Sequence, residues 1–188
     1  MTKIKICGLR RKEDILIVNK YKPDYIGFIL AFDKKRTIDI NTLKNLYNML
    51  DHSIKAVGVF LNQEIDYIKE ALPYIDLIQL HGNENEEYIK NLKAITNKPI
   101  INAYRLDKNA DYLLLDNINP GSGEVFDWTT IKGYSKPIFL AGGISILNIK
   151  EALKLMPYCI DLSSGVEVNG FKDEEKIEEI IRKVREYE

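Results

Sequence analysis

Short apolar runs alternate with amphipathic segments along the chain, and this alternation restricts the fold more than any other feature. Eight runs have the length and composition of β-strands: 3–7, 25–30, 54–60, 76–80, the run that opens at Ile100, 112–115, 137–141 and 159–162. Each is followed by a helical pattern or by its remnant. Eight such units within 188 residues predict one compact domain over 1–188, an α/β protein with a closed (β/α)₈ TIM barrel rather than an open sheet.

The connections between strands carry helix-start signals. Asp39 or Asn41 is expected to cap the second helix, Asn62 the third, and Ser145 the helix that follows the seventh strand. The segment 104–111 has room for only one helical turn, so the fifth helix is predicted to be reduced.

The composition is that of an ordinary soluble protein. The 27 basic and 28 acidic residues are scattered, which argues against a nucleic-acid or anionic membrane surface, so any phosphate-bearing partner should be a small molecule. No apolar run approaches the ~20 residues of a membrane span. The chain has two cysteines, Cys7 and Cys159, and no signal-peptide pattern, so we expect free thiols and a cytoplasmic location.

Two loops rich in small residues follow the seventh and eighth predicted strands. The first contains Gly142 and Gly143, and the second contains Ser163, Ser164 and Gly165. Small residues let backbone N–H groups approach phosphate oxygens, and these two loops are where TIM barrels often hold a phosphate. Either loop alone is equally well explained as a tight turn. Two such loops side by side predict a phosphate site.

Cys7 ends the first strand and shares a strand face with Lys5. A lone cysteine in a strand is more often a small buried side chain than a catalyst. A nearby cation would lower the pKa of the thiol and favour the thiolate. Asp161 on the eighth strand, which adjoins the first in a closed barrel, could instead pair with Lys5 below the site, and Cys7 would then gain less.

Asp127 lies between Phe126 and Trp128, after a glycine-rich loop. It either stabilises a helix N-terminus or, with its pKa raised by apolar neighbours, acts as a general acid near neutral pH.

His81 could be a ligand, a base or a hydrogen-bonding turn residue, of which the last is favoured, and His52 is expected to be exposed. The cysteines and histidines lack metal-ligand spacing, and no glycine-rich dinucleotide turn follows the first strand, so no metal or cofactor is expected.

Seven segments, taken together, resemble one known family. They are KICGLR from Lys5, GFIL from Gly27, VGVFLN from Val57, IQLHG from Ile78, VFDW from Val125, LAGGI from Leu140 and DLSSGVE from Asp161. The chain resembles the phosphoribosylanthranilate isomerases over nearly its whole length. The resemblance implies a TIM-barrel isomerase of tryptophan biosynthesis. Its reaction would be the Amadori rearrangement of N-(5-phospho-β-D-ribosyl)anthranilate to 1-(2-carboxyphenylamino)-1-deoxy-D-ribulose 5-phosphate, without metal or cofactor.

The same resemblance implies roles for individual residues. Asp127 would be the general acid that protonates the furanose ring oxygen, and Cys7 the general base that takes the C2′ proton. Arg36 would pair with the anthranilate carboxylate. The other residues expected to contact the substrate, including those of the phosphate loops, are Gln79, His81, Asp161, Gly142, Gly143, Ser163, Ser164 and Gly165.

Two loops differ from the family pattern. Glu124 stands where the family usually has a basic residue, and Asp33, Lys34 and Lys35 precede Arg36 where small residues and proline are common. Neither difference touches the predicted acid or base.

Other functions compete with this interpretation. A sister ribonucleotide isomerase of histidine biosynthesis performs the same rearrangement, but it would be expected to carry a carboxylate in place of Cys7. A non-catalytic phosphoribosyl-ligand-binding barrel would keep the phosphate loops and have no need of Cys7 and Asp127. A thiol hydrolase would require His81 within reach of Cys7, three strands away. The sequence is compatible with a monomer or a homodimer.

Overall fold

Eight parallel strands close into a barrel, as the alternation predicts. The structure is a computed structural model that describes residues 1–105, 107–116 and 134–187. The strands are β1 (Lys3–Cys7), β2 (Tyr25–Ile29), β3 (Lys55–Phe60), β4 (Leu77–Leu80), β5 (Ile100–Ala103), β6 (Tyr112–Leu115), β7 (Ile138–Leu140) and β8 (Cys159–Leu162). Neighbours in the chain pair in parallel, and β8 pairs with β1, which closes the barrel.

Helices follow most strands of the described part of the chain. They are α1 (Lys12–Tyr21), α2 (Ile40–Tyr47), α3 (Ile65–Ala71), α4 (Glu86–Lys93), α5 (Ile149–Lys154) and α6 (Glu174–Glu186). A small antiparallel hairpin, β9 (Glu167–Val168) with β10 (Phe171–Lys172), lies between β8 and α6. The described residues between β5 and β6 form a turn and no helix, which confirms the reduced fifth crossover. No helix in the described ranges is long and apolar enough to span a membrane.

Side-chain hydrogen bonds test two of the predicted helix caps. The Asp39 carboxylate accepts a hydrogen bond from the Thr42 N–H at 2.7 Å, so Asp39 and not Asn41 caps α2. The prediction that Ser145 caps a helix starting at the next residue is wrong, because that helix begins later, after Asn148. The reason is a turn: the Asn148 side-chain oxygen accepts a hydrogen bond from the Ser145 N–H at 2.8 Å.

The prediction that Asn62 caps α3 is also wrong. The cap position is Glu64, whose side chain makes no capping hydrogen bond. Asn62 has a positive φ of 60°, and its side-chain oxygen accepts a hydrogen bond from the Asn83 N–H at 2.6 Å. The side chain is therefore committed to the loop after β4 and cannot serve the helix.

Strand alternation divides the side chains between the barrel interior and the layer beneath the helices. Ile4 and Ile6 belong to the outer core, whereas Lys5 of the same strand is fully buried and reaches across to β4. Phe139 packs edge to face against Tyr25 and Tyr112 inside the barrel, with ring centroids 5.4 and 5.3 Å apart. Among the described residues these rings fill the barrel interior, and space for a site is expected toward the carboxyl ends of the strands.

Candidate active site

A cavity of about 500 Å³ opens where the barrel strands end. Its lining includes every predicted site residue that the structure describes: Cys7, Arg36, Gln79, His81, Gly142, Gly143, Asp161, Ser163, Ser164 and Gly165. Asp127, the predicted general acid, lies outside the described residues. The described part of the chain contains no group of three or more side chains arranged to hold a metal ion.

Several lining positions are absent from the predicted set of site residues. Lys34 and Lys35 lie in the loop before Arg36, Asp116 follows β6, and Leu61 follows β3. Their only sequence signal is their place just after a strand. That signal is shared by loop residues that face solvent, so it does not single them out.

A buried ion pair lies beneath the cavity. The Lys5 ammonium is 2.6 Å from Asp161 Oδ2 and donates a second hydrogen bond to Gln79 Oε1 at 2.9 Å. Lys5 and Asp161 are cross-strand partners in the β1–β8 register, as a closed barrel predicts. Asp161 thus takes the cation, which was one of the two arrangements that the sequence left open.

The Cys7 thiol is almost fully buried at the end of β1. Burial raises the pKa of this thiol, the positive charges of Lys5 and Lys172 lower it, the negative charge of Asp161 raises it further, and the net pKa lies above the ordinary value. Gly27 of β2 makes room for the sulfur, since a Cβ built there would lie 2.6 Å from Cys7 Sγ.

The two loops predicted to bind phosphate pack directly against each other. A Cβ on Gly165 would overlap the carbonyl oxygen of Ile144, so only glycine permits this close approach. Gly142 and Gly143 both have positive φ, 91° and 64°. The Ser163 hydroxyl donates to the Cys7 carbonyl oxygen at 3.2 Å, which ties the second loop to β1.

Arg36 is held from behind by the β9–β10 hairpin. Its Nε and one terminal nitrogen donate to the two oxygens of Glu167 at 2.7 and 2.6 Å. The Lys172 ammonium donates to the same carboxylate at 2.7 Å. A Cβ on Gly8 would lie 2.5 Å from Arg36 Cδ, so this glycine makes room for the arginine stem. The guanidinium is thereby fixed at the cavity wall.

The Glu167→Gln variant is expected to be less stable by about 3 kcal/mol near neutral pH, because two cations would lose their shared carboxylate. Burial raises the pKa of Glu167, but Arg36 and Lys172 outweigh it and lower the pKa from 4.5 to about 2. Because the pKa of Glu167 is lower in the folded chain than in the unfolded chain, its carboxylate stabilises the fold at pH values above its ordinary pKa of 4.5. The stability difference from wild type should therefore shrink as the pH falls from about 4.5 toward 2.

Urea unfolding at a series of pH values measures this difference. Glu151→Gln, which removes an exposed helical ion pair with Lys154, serves as the matched control and should change stability by less than about 1 kcal/mol. A Glu167→Gln deficit that is the same at every pH would contradict the assignment.

His81 is set between polar partners at the rim. Its Nδ1 is 3.0 Å from Gln79 Nε2, and its Nε2 is 3.1 Å from the Tyr104 hydroxyl and 3.7 Å from Asp116 Oδ2. Burial and the positive charges of Lys5 and Lys34 lower the pKa of His81 to about 4. His81 is therefore neutral at physiological pH. His52 is exposed, as expected.

The fold and the cavity define a (β/α)₈-barrel enzyme whose site lies at the carboxyl mouth of the barrel. The model of the protein family described as N-(5′-phosphoribosyl)anthranilate (PRA) isomerase matches residues 4–183 of the chain. The chain is 49% identical to the N-(5′-phosphoribosyl)anthranilate isomerase of Endomicrobium trichonymphae, over 98% of this chain and 99% of that protein.

Two solved structures show the same similarity. The phosphoribosyl anthranilate isomerase of Thermus thermophilus superposes with a TM-score of 0.90 at 32% identity, covering all of both chains. A phosphoribosyl anthranilate isomerase in complex with reduced 1-(o-carboxyphenylamino)-1-deoxyribulose 5-phosphate superposes with a TM-score of 0.85 at 27% identity, over 99% of this chain and all of that chain. The chain belongs to the phosphoribosylanthranilate isomerase family, which confirms the resemblance noted in the sequence.

Proposed function

We propose that this chain catalyses the Amadori rearrangement of N-(5-phospho-β-D-ribosyl)anthranilate, with Cys7 as general base and Asp127 as general acid. The observation that carries the proposal is the convergence of the Cys7 thiol, Arg36 and the two glycine loops on one cavity. The relative solved with a reduced carboxyphenylamino-deoxyribulose phosphate supports the same substrate class.

The cavity suits a molecule that is anionic at both ends. Its volume of about 500 Å³ lies within the ~300–1,000 Å³ common for small-molecule sites. Backbone N–H groups of the loops around Gly143 and Ser164 would hold the phosphate. Arg36, held by Glu167, would pair with the anthranilate carboxylate. Anchors at both ends would hold the reacting ribose carbons in a fixed position.

Asp161 also has a free acceptor. Its Oδ1 is buried and has no hydrogen-bond partner among the described residues, although Oδ2 is bound to Lys5. A buried carboxylate oxygen without a partner is costly, and a ribose hydroxyl could satisfy it. We assign Asp161 to substrate binding on this basis, together with Gln79 and His81, which line the same cavity.

The reaction begins at the ring oxygen. Asp127 donates a proton to the furanose oxygen, the bond between C1′ and that oxygen breaks, and the anthranilate nitrogen stabilises the resulting iminium. Opening the ring makes the C2′ proton acidic, because the electrons left behind can move into the iminium. Asp127 is left as a carboxylate.

The second step takes place at C2′. The Cys7 thiolate removes the C2′ proton, and the electron pair forms the C1′–C2′ double bond of an enolamine. Protonation at C1′ and loss of the C2′ hydroxyl proton give the ketone. Lys5 and Lys172 favour the thiolate against the effect of burial. Each of the two proton-transfer groups should contribute about 10²- to 10⁴-fold, and the scheme needs no metal or cofactor.

We propose that the chain works as a monomer or as a homodimer. We propose the cytoplasm as the working compartment, where both free thiols, Cys7 and Cys159, would stay reduced.

Complementation tests this function against its alternatives. A bacterial strain that requires tryptophan because it lacks this isomerase should grow without tryptophan when it expresses the chain. A strain that lacks the histidine-pathway ribonucleotide isomerase should remain dependent on histidine. Rescue of only the second strain would reassign the substrate, and rescue of neither by a well-expressed protein would favour a ligand-binding barrel.

A further inference from the structure

A chain of hydrogen bonds crosses the floor of the cavity from β1 to the end of β4. The fully buried Lys5 ammonium donates to Gln79 Oε1 at 2.9 Å. Gln79 Nε2 lies 3.0 Å from His81 Nδ1. Gln79 is itself only 2% exposed. The three side chains form one connected series that begins at a fully buried ammonium and ends at the partly buried His81 ring.

The donor and acceptor types along this series allow only one arrangement. An ammonium group can only donate hydrogen bonds, so the Gln79 atom that faces Lys5 must be the oxygen. The amide nitrogen then faces His81, and an amide nitrogen can only donate. His81 Nδ1 must therefore accept, which means that it carries no proton.

We propose that Gln79 is a positioning residue which, oriented by Lys5, holds His81 as the neutral tautomer with its single proton on Nε2. That N–H lies at the rim of the cavity, 3.1 Å from the Tyr104 hydroxyl and 3.7 Å from Asp116 Oδ2. His81 is thus a fixed hydrogen-bond donor toward oxygen atoms at the rim, and its Nε2 is unavailable as a base.

The charges around His81 agree with a neutral ring. Lys5 and Lys34 disfavour a second proton, burial acts in the same direction, and the pKa of His81 is lowered to about 4. Asp116 is the acidic side chain that faces the ring, and its oxygen lies on the Nε2 side. The Tyr104 hydroxyl oxygen is at hydrogen-bond distance and accepts the Nε2 proton.

The tautomer can be read directly by nitrogen NMR of protein labelled with ¹⁵N-histidine, because the chain has only two histidines. His52→Gln removes the other signal and assigns the spectrum. His81 is expected to show a protonated Nε2 and an unprotonated Nδ1, unchanged from about pH 8 to about pH 6. A protonated Nδ1 in the wild-type protein would overturn the proposal.

Gln79→Glu replaces the amide nitrogen that donates to His81 Nδ1 with an oxygen and keeps the shape of the side chain. The carboxylate still accepts from Lys5, but its other oxygen can only accept, so Nδ1 should now carry a proton. The expected result is either a flipped tautomer or a ring that binds two protons near neutral pH.

Tyr104→Phe is the control, because it keeps the Gln79 contact and should leave the tautomer unchanged. If Gln79→Glu does not fold, Gln79→Met should give a mixture of both tautomers; a pure wild-type tautomer in a folded variant would contradict the proposal.

A kinetic readout separates positioning from a purely structural role, and this part rests on the proposed function. Gln79→Glu is expected to lower kcat/KM by about 10-fold and to add an inflection near neutral pH that the wild type lacks. A loss that is equal at every pH would indicate structural damage alone and would overturn the positioning role. If the wild-type protein shows the expected tautomer but converts no substrate, the proposed function fails while the assignment of Gln79 and His81 stands.

Discussion

Replacing Cys7 with alanine should lower kcat/KM for phosphoribosylanthranilate by about 10²- to 10⁴-fold, because the substrate would lose the base that removes its C2′ proton. The strand should be preserved, since alanine fits wherever the buried thiol fits. Cys159→Ala is the matched control. Cys159 is also buried inside the barrel, on β8, but it does not line the cavity, so its removal should leave the rate nearly unchanged.

The pH dependence tests the same role independently. The thiolate is the active form of the base, and burial places the pKa of the Cys7 thiol above its ordinary value. The rate constant kcat/KM should therefore rise with pH over an alkaline limb that is absent from Cys7→Ala. An alkaline limb that persists in the alanine variant would assign the titration to another group and remove Cys7 from its role.

Asp127→Asn is expected to cause a loss of similar size, about 10²- to 10⁴-fold, because an amide cannot supply the proton that opens the ribose ring. The substitution keeps the shape of the side chain, so KM should change less than kcat. Steady-state kinetics by substrate fluorescence measures both quantities. Asp66→Asn, which alters an exposed carboxylate paired with Lys69 on α3, should leave both constants unchanged.

A nearly active Asp127→Asn variant would move the acid to another residue. Asp116 would then be the next candidate, because it lines the cavity and lies 3.7 Å from His81 Nε2. Loss of activity in Asp116→Asn but not in Asp127→Asn would establish that reassignment.

The sequence predicts both the barrel and the end of the barrel at which the site lies. Both follow from the alternation of strand and helix segments along the chain. Short apolar runs mark the strands, and in a closed parallel barrel the carboxyl end of each strand reaches the same rim. The same logic offered Asp161 as one possible partner of Lys5, since the eighth strand must adjoin the first. The observed register and the 2.6 Å ion pair agree with it.

Contacts between distant loops could not be predicted in this way. The side chains of Asn62 and Ser145 had suitable chemistry for helix caps, but their choice among several local partners depends on how neighbouring loops pack. Arg36 pairs with Glu167 of the β9–β10 hairpin, 131 positions away in the chain. No local sequence pattern predicts a contact between residues so far apart.

The hydrogen bond from Lys5 to Gln79 spans the barrel interior between strands that are not neighbours. Sequence pattern gives which face of a strand a residue occupies, but not how far a long side chain reaches across the barrel. The orientation of the Gln79 amide, and with it the tautomer of His81, therefore follows only from the three-dimensional structure.

The most direct test of the account is the loss of phosphoribosylanthranilate fluorescence after addition of the purified protein, run beside Cys7→Ala under the same conditions. The account predicts rapid conversion to the deoxyribulose product by the wild-type protein and a rate at least about 10²-fold lower for the variant. Tight binding of the substrate without conversion by the wild-type protein would contradict it and would identify the barrel as a ligand-binding protein.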